Sequence, residues 1–247
     1  MPANKVDILF VIDASESMRP CFQKLRDNLH SFIEPLSNAS FQVRFGLLAY
    51  SAGRDGNNTI YYFYGLADQN LLQRLYSPQA SDEDFFTADA TRFLDALDRV
   101  PIGHDEHTPV ALDTAADFPF APPADARRVI ALFTNEKLET GVLRTQGMEC
   151  FPLVLRKIVQ RRITLYAYLP ACAGAALMTR LPRSIIKEVK TGADCWEQVD
   201  FAQILEQMGR SISASSLQTT REPEFQKAIF GQDRWAQTER TPASGDQ

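Results

Sequence analysis

The segment Asp13-Ala14-Ser15-Glu16-Ser17 sets one carboxylate and two hydroxyls at alternating positions, directly after the apolar run Lys5–Ile12. An ionised carboxylate at the end of a buried strand is costly unless a hydrogen bond, an opposite charge or a metal offsets it. Ser15 and Ser17 can turn their oxygens toward the same point as Asp13. One carboxylate plus hydroxyls is hard-oxygen ligation, which suits Mg²⁺, an ion that takes few protein ligands and keeps several waters. The same serines also read as turn and N-cap residues for a helix starting near Met18. On Ser17 alone the two readings are equally good.

Two more polar clusters follow in the chain, Gly103-His104-Asp105-Glu106-His107-Thr108-Pro109 and Thr134-Asn135-Glu136, the second directly after the apolar run Arg128–Phe133. Ligands of open parallel sheets sit beyond the carboxyl ends of the strands, so these clusters and Asp13–Ser17 are where chemistry is expected. Thr108-Pro109 reads as an N-cap followed by proline at the first helical position, a role compatible with ligation. The donors of GHDEHT include two imidazoles and two carboxylates, types that bind zinc. All four lie on one loop with no cysteine near them, so His104, Asp105, Glu106 and His107 are read as a solvated loop that tunes contact with a partner. His30 lies off the apolar stripe of its helix and suggests no function.

The elements that must position these clusters are legible from periodicity. Lys5–Ile12 is a nearly continuous apolar run, the pattern of a strand buried on both faces. Phe22, Leu25, Leu29, Phe32, Ile33 and Leu36 then recur at helical spacing. Phe41–Tyr50 and Ile60–Tyr64 flank a Gly/Asn/Asp-rich link and predict an antiparallel hairpin. Helices are expected over Asp68–Tyr76 and Thr87–Val100, from near Pro109, and around Phe151–Gln160. Strands are expected at Arg128–Phe133, Ile163–Leu169 and Ser184–Val189, a small helix at Ala173–Leu181, and a closing amphipathic helix over Phe201–Ile212. Alternating strands and helices imply βαβ units with right-handed crossovers. The fold class is therefore α/β, Rossmann-like: a central, mostly parallel six-stranded sheet with one antiparallel edge strand and helices on both faces. Residues 1–213 form the domain. Residues 214–247 read as a polar tail carrying a short apolar motif at 225–235, for which folding back on the domain is preferred to a partner-binding role.

Composition narrows the function classes. The 247 residues are 45% hydrophobic and 23% charged, as in ordinary globular domains. The net charge of −5 argues against nucleic acid as the main partner. No apolar run approaches the ~20 residues of a membrane span, and Met1–Lys5 shows no leader-like pattern. Four cysteines with no C-x-x-C pair read as reduced thiols, which points to a cytoplasmic protein. Charge is uneven: residues 156–190 carry eight Lys/Arg against one acid, and residues 68–117 carry eleven acids against three arginines. Solvated helix faces explain most of this, although docking surfaces can look the same. No G-x-x-x-x-G-K-[ST], G-x-G-x-x-G or G-x-S-x-G motif occurs.

With D-x-S-x-S after a buried strand and this element order, the chain resembles the von Willebrand factor A domain family from Lys5 to about Ser213. That resemblance implies a metal-ion-dependent adhesion site for Mg²⁺ (or Mn²⁺), with Ser15 and Ser17 as direct ligands and Asp13 acting mainly through water. It also implies Thr108 as the family's loop threonine and Asn135 at the position of its closing aspartate. Family members are typically not enzymes; they bind a partner protein whose Asp or Glu completes the coordination. The resemblance extends to intracellular prokaryotic scaffolds that work with AAA+ ATPases, kinases, phosphatases or stress-response machinery.

Asparagine at position 135 departs from the family pattern. With Asp13 alone the protein shell carries −1. Asn135 can still hold a coordinated water through its carbonyl oxygen. Glu136 restores the charge only if its side chain turns inward. The expectation is weaker metal affinity in the free protein, a stronger demand for the partner's carboxylate, and an order of binding in which the metal precedes the partner. Two alternatives stay open: a phosphohydrolase of the haloacid-dehalogenase type using Asp13 as nucleophile, and a structural module whose metal site has decayed. Against the first, Ser15 stands where such an enzyme needs its second carboxylate.

Overall fold

Strand β1 (Lys5–Asp13) is buried at every residue after Lys5, which is why it reads as an unbroken apolar run. In this computed structural model the described residues are 5–38, 41–52, 59–63, 73, 75–77, 81–103, 107–139, 144–191, 193–196 and 199–214. The other strands are β2 (Gln42–Ala52), β3 (Thr59–Phe63), β4 (Ala126–Phe133), β5 (Ile163–Leu169) and β6 (Ser184–Glu188). The sheet order is β3-β2-β1-β4-β5-β6. β2, β1, β4, β5 and β6 run parallel, and β3 pairs antiparallel with β2 at the edge, as the predicted hairpin requires.

The helices are α1 (Arg19–Asn38), α2 (Ala90–Asp98), α3 (Thr108–Ala116), α4 (Arg144–Gln160), α5 (Ala173–Met178) and α6 (Phe201–Ala214). Side chains alternate across a strand, so β1 serves two cores. Val6, Ile8, Phe10 and Ile12 join Leu25, Leu29 and Phe32 of α1, Phe93 of α2 and Leu205 and Met208 of α6 in one cluster. Leu9 and Val11 point to the other face, where α3 and α4 lie against each other. Lys157 of α4 bridges Asp113 of α3 and Asp117, the residue that caps its carboxyl end, at 2.7 Å each and ties that pair together. Phe133 stacks on Tyr168 and Phe201, with ring centroids 4.9 and 5.7 Å apart, and so fills the space below the carboxyl end of β4.

Several boundaries differ from the sequence expectation. The helix expected from Thr87 begins at Ala90, because Asp89 caps it by accepting the amides of Thr91 and Arg92, while Thr87 forms a bridge with Phe45 of β2. The helix expected around Phe151 starts at Arg144 and carries Pro152 inside it. The apolar stripe of α1 extends backward through Cys21 to the buried Met18, in the short 3₁₀ turn Glu16–Met18. Most of the expected helix over Asp68–Tyr76, and residues 215–247 with the 225–235 motif, lie outside the described residues.

At the end of the sheet opposite the site, Asp7 is fully buried. It accepts both guanidinium bonds of Arg44, each at 2.8 Å, and the amide of Ala121 at 2.8 Å. Among the described residues no helix is long and apolar enough to cross a membrane. All four cysteines are free thiols, with Cys21 and Cys195 buried.

Candidate functional site

Strand order reverses about β1: the chain moves from β1 to β2 on one side, then returns to place β4 on the other. The crevice beyond the carboxyl ends of β1 and β4 is therefore the switch point at which open α/β sheets bind ligands. Register does the fine positioning. Ile12 pairs with Phe133 and Asp13 pairs with Tyr50, so Asp13 ends β1 beside Thr134, the first residue past β4. The ends of β1 and β4 thus meet at the level of Tyr50 in β2.

The side chains there are joined. Asp13 Oδ1 accepts the Ser15 amide at 2.8 Å, and Asp13 Oδ2 accepts the Thr134 hydroxyl at 3.0 Å. The hydroxyls of Ser15 and Ser17 lie 3.1 Å apart, and Ser17 Oγ donates to Asn135 Oδ1 at 3.1 Å, across 118 residues of chain. Ser15 occupies the N-cap position of the Glu16–Met18 turn but makes no side-chain cap bond there. Its hydroxyl is directed to Ser17, so the purely capping reading of this serine fails. Thr134 also accepts the amide of Glu136 at 3.1 Å, which leaves its single hydroxyl hydrogen for Asp13.

Asp13, Thr134 and Asn135 are all fully buried. Burial pushes the Asp13 carboxyl up to about 7; the Ser15 amide and the Ser15 and Thr134 hydroxyls pull it down, and the charge of Glu136 adds to the rise. Both donors to its oxygens, the Ser15 amide and the Thr134 hydroxyl, lie on uncharged groups.

Thr108 is buried as the first residue of α3, and the N-cap position falls to His107, which makes no side-chain cap bond. The expected cap at Thr108 is therefore not formed. Its hydroxyl instead lies 2.8 Å from the phenol oxygen of Tyr50, also fully buried. Two backbone ties bring this region to the Asp13 loop: Ala14 N–H donates to Tyr50 O at 2.7 Å, and Gly103 N–H donates to Ala14 O at 2.8 Å. His107, expected on a solvated loop, is buried, because it closes the N-terminal end of α3 against the interior. His104, Asp105 and Glu106 lie outside the described residues. Glu136 is half-buried.

The sequence points to the Thr134-Asn135-Glu136 cluster but gives Thr134 no role at the metal site, and it does not single out Tyr50. Thr134 was recoverable as the residue after a buried strand, flanking the Asp13 strand if β1 and β4 were neighbours. Tyr50 had only one local signal, a phenol hydroxyl following the apolar stretch Leu47–Ala49 near the carboxyl end of β2.

The residues expected from the sequence offer oxygen atoms here: Asp13, Ser15, Ser17 and Asn135 are joined by hydrogen bonds, whereas the Thr108 hydroxyl is tied to Tyr50. Among the described residues no three His, Cys, Asp or Glu side chains converge to hold an ion. A buried carboxylate with only neutral donors, lined by hydroxyls, fits a hard divalent cation such as Mg²⁺ or Mn²⁺.

Comparison with known proteins agrees with this architecture. No curated protein matches the sequence. Among solved structures the chain is similar to the pilus adhesin SpaC from Lactobacillus rhamnosus GG, at 13% identity and a TM-score of 0.50, covering 87% of this chain and 31% of the adhesin. The open conformation of that adhesin gives 14% identity and a TM-score of 0.50, with 86% of this chain and 30% of the adhesin covered. This chain therefore spans about a third of the adhesin's length, and at such identity the likeness concerns the fold alone. The sequence profile of the von Willebrand factor type A domain matches residues 7–168, and the chain belongs to that family.

Proposed function

We propose that this chain is a non-enzymatic protein-interaction module that takes an acidic side chain of a partner protein through a Mg²⁺ or Mn²⁺ ion at the Asp13 site. Domains of this family generally serve as protein-interaction modules. One observation carries the finer reading: a fully buried Asp13 carboxylate held only by neutral donors, facing hydroxyls at the sheet's switch point. A divalent ion would supply the missing positive charge. Asp13, Ser15, Ser17, Thr108 and Asn135 would hold it directly or through water, and the chain's own −1 would leave demand for a carboxylate from outside.

The phosphohydrolase reading needs a carboxylate open to attack a phosphate. Asp13 is buried, with both oxygens already hydrogen-bonded, which disfavours it. The proposed setting is the cytoplasm, in a scaffold or adaptor that works with an AAA+ ATPase, a kinase or a phosphatase in a stress-response or related assembly. That setting follows from the family resemblance and the reduced cysteines.

The test is thermal unfolding and partner capture with the full chain, in EDTA and in excess Mg²⁺. Mg²⁺ should raise the melting temperature of wild type and leave Asp13→Ala unmoved, because a ligand that binds only the native state must stabilise it. Capture of a partner should need the ion and should be blocked by free acidic peptide. Equal melting with and without Mg²⁺ would leave the decayed structural module as the correct reading.

A further inference from the structure

We infer that Tyr50 is a positioning residue of the site, acting through Thr108. The inference rests on the metal reading above and deepens it. Thr108 Oγ1 and Tyr50 Oη lie 2.8 Å apart and both side chains are buried, so either hydroxyl can be the donor of this bond. A cation removes that freedom. A threonine that offers lone pairs to an ion must send its hydrogen away from the ion, to an acceptor. Tyr50 Oη, 2.8 Å away, is an acceptor in reach. Ion binding therefore selects the arrangement in which Thr108 donates to Tyr50, and a chain without that acceptor has a buried hydroxyl hydrogen to place.

The rest of Tyr50 is anchored for this task. It pairs with Asp13 in the β1–β2 register, and its carbonyl accepts the amide of Ala14 at 2.7 Å. One residue thus links the strand that ends in Asp13, the loop that carries Ser15 and Ser17, and the first turn of α3. The bridge of Ser15 to Gly103 joins the same loop to the segment before α3. Thr108 is set relative to Asp13 by these two ties, and the Tyr50 tie also orients its hydroxyl.

The test uses the full chain as wild type, Tyr50→Phe, Thr108→Val and the double variant. Mg²⁺ affinity is measured by calorimetry, and stability in EDTA by denaturant unfolding. Tyr50→Phe should weaken Mg²⁺ binding roughly three- to tenfold, the scale of one hydrogen bond. The loss should disappear in the Thr108→Val background, because the two residues act as one unit. A Tyr50→Phe variant that is less stable in EDTA but binds Mg²⁺ as wild type does would reduce Tyr50 to a packing residue and overturn the inference. So would a loss that persists undiminished in the double variant. Wild type that binds no Mg²⁺ at all would instead bring down the metal reading on which the inference rests. If Tyr50→Phe does not fold, the Tyr50 Cζ resonance of wild type serves: it should move on Mg²⁺ addition as the phenol becomes an acceptor, and an unmoved resonance overturns the inference.

Discussion

Replacing Asp13 by asparagine removes the charge and keeps the shape, so D13N isolates what burying that carboxylate costs. The folded-state pKa is raised from 3.8 to about 7, with burial as the main cause. The proton is thus held more tightly in the folded chain than in the unfolded one. Asp13 imposes no penalty below the unfolded value; the penalty grows as pH rises between the two values and levels off above about 7. A shift of roughly three units corresponds to about 4 kcal/mol at the plateau. Of this, roughly 2–3 kcal/mol develops between about pH 5 and about pH 8.

The assay is denaturant unfolding of wild type and D13N in EDTA at those two pH values, so that other titrating groups cancel in the difference. D13N should gain on wild type by roughly 2–3 kcal/mol on going from the lower pH to the higher. Any fixed cost of the amide enters equally at both. Adding Mg²⁺ at the higher pH should return the lost stability to wild type and leave D13N unmoved. If the wild type–D13N difference is the same at both pH values, the carboxyl is not destabilised by burial, and the electrostatic case for a cation collapses.

Asn135→Asp should tighten Mg²⁺ binding by restoring a second negative charge to the shell, as read by calorimetry; unchanged affinity would sink the charge argument. Thr134→Val should cost about 1–3 kcal/mol in EDTA, because it leaves Asp13 Oδ2 without its donor, and should cost more at about pH 8 than at about pH 5, where unfolding in denaturant compares the two. Asp7→Ala should destabilise by about 3–5 kcal/mol by removing the buried carboxylate that holds the Arg44 guanidinium and the Ala121 amide, while the stability increment from Mg²⁺ stays at its wild-type size. Phe133→Ala should cost about 3–5 kcal/mol from the space left between Tyr168 and Phe201, measured by denaturation at fixed pH.

Local patterning carries most of the secondary structure because burial and period are local properties of the chain. All six expected strands appear within two residues of their expected ends, and a stripe at helical spacing marks α1. The start of α2 was misplaced because the cap at Asp89 and the Phe45–Thr87 bridge compete for the same few residues, and the bridge partner lies far away in sequence.

Asp13, Ser15 and Ser17 stand within five residues, so the sequence by itself marked a carboxylate among hydroxyls at a strand end, and with it the family. It also marked Asn135 as the departure to watch. What it did not determine is which strands are neighbours, since sheet order depends on how crossovers wrap. Only the placement of β1 between β2 and β4 brings Thr134 onto Asp13, Asn135 onto Ser17 and Tyr50 onto Thr108. The same packing turns His107 inward, where its position on a polar loop had suggested solvent. Residue types announce which atoms can serve a site; the non-local pairing of strands decides which of them meet.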